Sequence, residues 1–169
     1  MINWIKSNIF EDWITKCAIS TQKYGNYIKE NTKQLVLSLY IEETTDKFIA
    51  LLDDSIGVDW DLIDEENLAI LDSIIGEGFS NTPDKEIDET ELQTLIENFG
   101  SYLGSNIIHN LGGEWRFREE LLHCSIYFGS KDIECFPFHR VSKRVLNGPL
   151  FSLDKFYEEI LIKLDVIDS

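Results

Sequence analysis

Two histidines and two cysteines lie close together in the sequence: His123, Cys124, Cys135 and His139. Imidazole and thiolate groups are the ligands that zinc takes in tetrahedral protein sites. The segment alternates as two strands joined by a turn, and pairing Phe128 with Ile133 places both thiols on one face and His123 on the other. That shared face is apolar. We therefore expect the cysteines to be buried as small hydrophobic side chains, and we predict no metal site and no cofactor.

A cysteine and a histidine together could also supply an activated nucleophile. The pairs available are Cys135 with His139, or Cys17 with a distant histidine. Neither cysteine lies in a nucleophile elbow or a protease signature, so we predict no catalytic residue. An odd number of cysteines suits a reducing cytoplasm better than a disulfide scaffold.

Carboxylates are concentrated in the middle of the chain. The net charge is −16, and residues 51–100 contain fifteen acidic residues against the single Lys85. The run from Asp59 to Asp64 spaces its carboxylates as a calcium loop does, but it lacks the glycine and the terminal glutamate of that loop. A solvated helix face is therefore favoured over a weak cation site. The predicted acidic surface comprises Asp53, Asp54, Asp59, Asp61, Asp64, Glu65, Glu66 and Asp72.

This charge disfavours two classes of partner. Proteins that bind nucleic acid need clustered lysine and arginine, and helices that lie on anionic lipid need a basic face. The one basic cluster, Arg140, Lys143 and Arg144, is small and more suited to pairing with nearby acids. No run approaches the ~20 apolar residues of a membrane span, and the first residues do not form a signal peptide. The expectation is a cytoplasmic protein with neither nucleic acid nor membrane as partner.

Two functions follow from these residues. In the first, the protein is a non-catalytic immunity or antitoxin-like protein, whose acidic surface meets a basic partner such as a toxin. Charge that serves only solubility is its simpler rival. In the second, the protein is a small-ligand binder or an enzyme with a pocket between the sheet and the helix of residues 90–111. The residues proposed to line that pocket are His109, Trp115, His139, Lys143 and Arg144.

The elements that must position these residues predict an α+β fold in one domain of residues 1–169, with a helical acidic part (1–80) and a second part (86–169). The first half is mainly helical, although 34–41 fits helix or strand and 76–85 resembles a loop. A long helix then begins at Asp88, which starts a capping box, and ends at the pair Gly112 and Gly113. Three antiparallel strands follow at 114–120, 122–128 and 133–138, with Pro137 at an edge or strand end. Helices at 141–147 and after Ser152 complete the chain.

The carboxyl-terminal half carries a pattern of its own. It reads Gly-x-Tyr-Leu-Gly at 100–104, Leu-Gly-Gly-x-Trp at 111–115 and Phe-Pro-Phe-x-x-Val-x-Lys-Arg-x-x-Asn-Gly at 136–148. This pattern resembles a family of small uncharacterised bacterial α+β domains, over about residues 95–160. The resemblance implies an α+β fold and a bacterial cytoplasmic origin, and it implies no activity. Its glycines and aromatic residues are of the architectural kind, whereas Lys143 and Arg144 are its polar members.

Overall fold

The computed structural model describes residues 25–56, 66–80, 88–116, 118 and 120–166. Its elements are helices α1 (Gly25–Ile56), α2 (Glu66–Ile75) and α3 (Glu89–Leu111), strands β1 (Glu114–Arg116), β2 (Ser125–Phe128) and β3 (Ile133–Cys135), and helices α4 (Pro137–Asn147) and α5 (Leu153–Lys163). A π-helical turn, Gly76–Ser80, extends α2, and two 3-10 turns lie at Leu121–His123 and Pro149–Phe151. The predicted α+β class is confirmed.

Helix α1 settles the ambiguity of residues 34–41, because the whole segment is helical. Leu37, Ile41 and Phe48 are buried at helical spacing. Leu35 and Leu39, in contrast, are 60% and 45% exposed. Apolar side chains therefore lie on both the buried and the exposed faces of the helix. Their positions in the sequence consequently do not repeat with the helical period, which is why the segment could not be assigned from its pattern.

Helix α3 is the element against which α1 and α4 both pack. Both of its predicted ends are confirmed. The Asp88 carboxylate accepts a hydrogen bond from the backbone N–H of Thr90 at 3.1 Å. Gly112 closes the helix with a φ of +77°, a conformation that favours glycine.

The sheet has the order β1-β2-β3 and is antiparallel throughout. Phe128 pairs with Ile133, as predicted. The strands are shorter than predicted, because residues 121–123 form a 3-10 turn and the third strand ends at Cys135. The placement of Pro137 at a strand end was wrong, since this residue opens α4. Proline suits a first helical position because no helical hydrogen bond needs its missing N–H.

Two glycines of α3 allow its neighbours to approach closely. A Cβ atom on Gly100 would lie 2.3 Å from the ring of Phe138, and one on Gly104 would lie 2.2 Å from the ring of Trp115. The rings of Trp115 and Phe138 are themselves in contact, with 5.4 Å between centroids. The start of α4 and strand β1 are thus seated directly on the α3 backbone.

Residues 76–85 were predicted to form a loop, and the part that the structure describes instead continues α2 as a π-helical turn. Across the described parts of the chain, no helix combines the length and apolar character needed to cross a membrane.

Candidate functional site

The predicted acidic surface lies partly within the described residues. Asp53 and Asp54 are near the end of α1, where Asp54 is exposed and Asp53 is half-buried. Glu66 is the first residue of α2. Four more acidic residues fall outside the described part of the chain, namely Asp59, Asp61, Asp64 and Glu65.

Asp72 does not belong to an exposed acidic surface, and its assignment there was wrong. The Arg144 guanidinium donates from Nε to Asp72 Oδ1 at 2.8 Å and from Nη2 to Oδ2 at 2.9 Å. The backbone N–H of Leu153 also donates to Asp72 Oδ1, at 2.9 Å. The side chains of Asp72 and Arg144 are only 17% and 5% exposed. This two-point ion pair joins α2 to α4 and to the start of α5.

The same pair changes two other expectations. Ser152 precedes α5 as predicted, yet the α5 N–H group of Leu153 is capped by Asp72 rather than by the serine side chain. Gly76 leaves room for the guanidinium, since a Cβ atom there would lie 2.8 Å from Arg144 Nη2. Two members of the basic cluster pair with acids as predicted, since Arg140 also binds Glu159 at 2.6 Å, whereas Lys143 has no carboxylate partner among the described residues.

A groove of about 320 Å³ lies between α1, α3 and β1, and is called here the α1–α3 groove. Apolar lining comes from Ile41, Ile108 and Trp115. Glu42 and Asp46 supply two exposed carboxylates, and neither has an ion-pair partner among the residues that the structure describes. An aromatic ring beside unpaired carboxylates suits a lysine or arginine side chain, which has an apolar stem and a cationic head.

Two leucines of α1, Leu35 and Leu39, lie before the carboxylates that line the groove. They precede Glu42 and Asp46 at successive spacings of four, three and four residues, so that the four side chains share one helix face. All four are exposed. We call them the α1 stripe. A helix face that served only solubility would carry charged residues without exposed leucines, so the α1 stripe differs from such a face.

A second groove, of about 400 Å³, lies between α4, α5 and the end of β3, and is called here the α4–α5 groove. His139, Lys143 and Lys163 line it, together with the half-buried ring of Phe151. Burial lowers the pKa of His139 below its ordinary value, and electrostatic interactions with Lys143, His123 and Arg140 lower it further. The charged side chains of the lining are the basic residues Arg140, Lys143 and Lys163 and the acidic residues Glu134 and Glu159.

Replacing Lys143 by glutamine should raise the pKa of His139. The lysine charge opposes protonation of the imidazole, so that its removal makes the charged imidazolium less unfavourable. Proton NMR of the imidazole resonances across pH measures this, with the signal assigned through its loss in His139→Gln. The control is Lys155→Gln, which removes an exposed lysine of α5 that does not line the groove. An unchanged His139 pKa in Lys143→Gln would contradict the electrostatic account.

The five residues proposed for one pocket do not converge. His109 and Trp115 line the α1–α3 groove, whereas His139 and Lys143 line the α4–α5 groove. Arg144 lines neither groove, because it is held by Asp72. Glu42 and Asp46 were not predicted as site residues, because the acidic excess that defined the predicted surface lies in residues 51–100. Their spacing of four residues, with Leu39 ahead of them, was the available signal.

Neither described cysteine is poised as a nucleophile or ligand. Burial raises the pKa of Cys124 to about 11 and that of Cys135 to about 12, so both thiols stay protonated near neutral pH. His123 is exposed. Within the described residues, no three histidine, cysteine, aspartate or glutamate side chains are grouped to hold a metal ion. Cys17 lies outside those residues.

Comparison of the chain with models of protein families, with curated proteins and with solved structures found no match.

Proposed function

We propose that this protein is a non-catalytic binding protein of the bacterial cytoplasm, of the immunity or antitoxin-like kind, which captures a basic protein such as a toxin. The α1 stripe and the α1–α3 groove form the contact surface on the described part of the chain. The observation that carries the proposal is the α1 stripe itself, in which exposed leucines and exposed carboxylates share one face.

Charge complementarity supports a basic partner. The chain has a net charge of −16, so a cationic protein approaches it faster than a neutral one does. On contact, Glu42 and Asp46 lie where a lysine or arginine head would be placed when its stem packs on Trp115. Leu35 and Leu39 supply apolar area that charge-driven solubility does not require. We therefore expect the carboxylates to set the association rate constant and the leucines to set the dissociation rate constant.

The double variant Glu42→Gln/Asp46→Asn should lower the association rate constant with the basic partner by about tenfold at low salt. The difference in association rate constant between the wild type and the variant should shrink as the salt concentration rises, because salt screens the electrostatic attraction to the partner in both cases. The partner is recovered by pulldown from the native host, and its binding is then followed by surface plasmon resonance over a range of salt concentrations. The result that tests the proposal is the dependence of the association rate constant on these two carboxylates, and not the recovery of a protein in the pulldown.

The control is Glu77→Gln/Glu158→Gln, which removes the same charge from exposed positions outside the groove. Equal association rates in the control and the groove variant would contradict the proposed surface. An association rate constant that does not change with salt concentration would also contradict the proposal. Leu35→Ser/Leu39→Ser should raise the dissociation rate constant while leaving the salt dependence of association unchanged.

A further inference from the structure

We infer that the α4–α5 groove binds a small organic anion, with a phosphate or carboxylate group held by Lys143 and Lys163 and an apolar body packed near Phe151. This site is separate from the α1–α3 groove. The inference therefore does not rest on the proposed partner.

The first support is the balance of charge inside the groove. Its two carboxylates are already satisfied within the protein. Glu159 binds Arg140 at 2.6 Å, and Glu134 accepts from Arg118 at 2.9 Å. Lys143 and Lys163 have no carboxylate partner among the described residues. Two uncompensated ammonium groups are thus left at one concave surface of a chain whose net charge is −16.

The fields of these lysines reach the groove wall. The charge of Lys163 acts on the thiol of Cys135, and that of Lys143 acts on the imidazole of His139. Both groups line the groove. An anion placed between the lysines would therefore meet a positive potential that originates on two helices, α4 and α5.

The second support is the apolar part of the lining. The ammonium nitrogen of Lys143 lies 5.4 Å from the centroid of the Phe151 ring. Beside it, Leu150 is 80% exposed. The groove volume of about 400 Å³ falls in the range of about 300–1,000 Å³ that is usual for small-ligand sites. A ligand with an anionic head and a flat or apolar body matches this combination, whereas an inorganic ion would use the lysines alone.

The test uses phenyl phosphate and benzoate as probes, with inorganic phosphate and phenol as partial probes. Amide chemical shifts of the isotope-labelled full chain are followed during each titration. We expect saturable shifts that centre on α4, α5 and residues 149–151, and binding of phenyl phosphate or benzoate about tenfold tighter than that of either partial probe. Tighter binding of phenyl phosphate assigns the head group as phosphate, and tighter binding of benzoate assigns it as carboxylate.

The variant Lys143→Gln/Lys163→Gln should weaken binding of the better probe by about tenfold or more. Lys47→Gln/Lys155→Gln removes the same charge from two exposed lysines outside the groove and should bind as the wild type does. Thermal unfolding of both variants checks that the fold persists. Shifts that spread evenly over surface lysines, the absence of saturation, or equal binding by the two variants would each overturn the inference.

Discussion

Replacing Arg144 by methionine should lower the free energy of unfolding by about 3–5 kcal/mol, as should replacing Asp72 by alanine. Either change leaves the remaining charge in a site from which water is largely excluded, since the two side chains are 5% and 17% exposed. Asp72→Ala also removes the acceptor of the Leu153 N–H group at the start of α5. Urea denaturation followed by circular dichroism measures both losses.

Lys47→Met provides the matched control for this ion pair. Lys47 and Glu43 are 73% and 66% exposed, and an exposed pair of this kind contributes about 0.3–0.5 kcal/mol. The double variant Arg144→Met/Asp72→Ala should lose less stability than the two single changes added together, because no charge is then left unpaired. A single Arg144→Met variant as stable as the Lys47→Met control would show that the buried pair is not structurally important.

Gly100→Ala should lower the free energy of unfolding by about 1–3 kcal/mol, although alanine is the better helix former. The added methyl group would lie 2.3 Å from Phe138, whose side chain is fully buried and has little room to move. Gly104→Ala should cost less, since its neighbour Trp115 is only half-buried and can shift outward. The same denaturation experiment ranks the two variants.

Gly78→Ala is the control for the glycine variants, because a Cβ atom at Gly78 would have no neighbour within 4 Å. This variant should be as stable as the wild type or slightly more stable. Adding Phe138→Leu to Gly100→Ala should recover part of the lost stability if crowding is the cause. The close seating of α4 on α3 would be refuted by a Gly100→Ala variant that matches Gly78→Ala.

The sequence predicted those features that depend on neighbouring residues. Both ends of α3 were correct, because the Asp88 cap and the Gly112 terminus act within one helical turn. The pairing of Phe128 with Ile133 was correct because the turn between them is short. The predicted start of the second strand was wrong. Apolar residues alternate from residue 122 onward, but residues 121–123 form a 3-10 turn rather than a strand.

The candidate sites depend on contacts that local patterns do not encode. Asp72 and Arg144 are separated by 72 positions, and nothing near either residue indicated its partner. His109 and His139 were assigned to one pocket because both were chemically suitable, but α3 and α4 carry them to different grooves. Glu42 and Trp115 are far apart in the sequence, and the fold brings both to the α1–α3 groove.

The ion pair between Asp72 and Arg144 also bears on how the chain divides. The boundary suggested by composition separates residues 1–80 from residues 86–169, and this pair crosses it. A fragment of residues 86–169 would contain Arg144 without its counter-ion Asp72, and α5 without the carboxylate that accepts from the Leu153 N–H. The carboxyl-terminal part therefore depends on α2 for the counter-ion of Arg144 and for the cap of α5, and we expect residues 86–169 alone to be less stable than the same residues in the full chain.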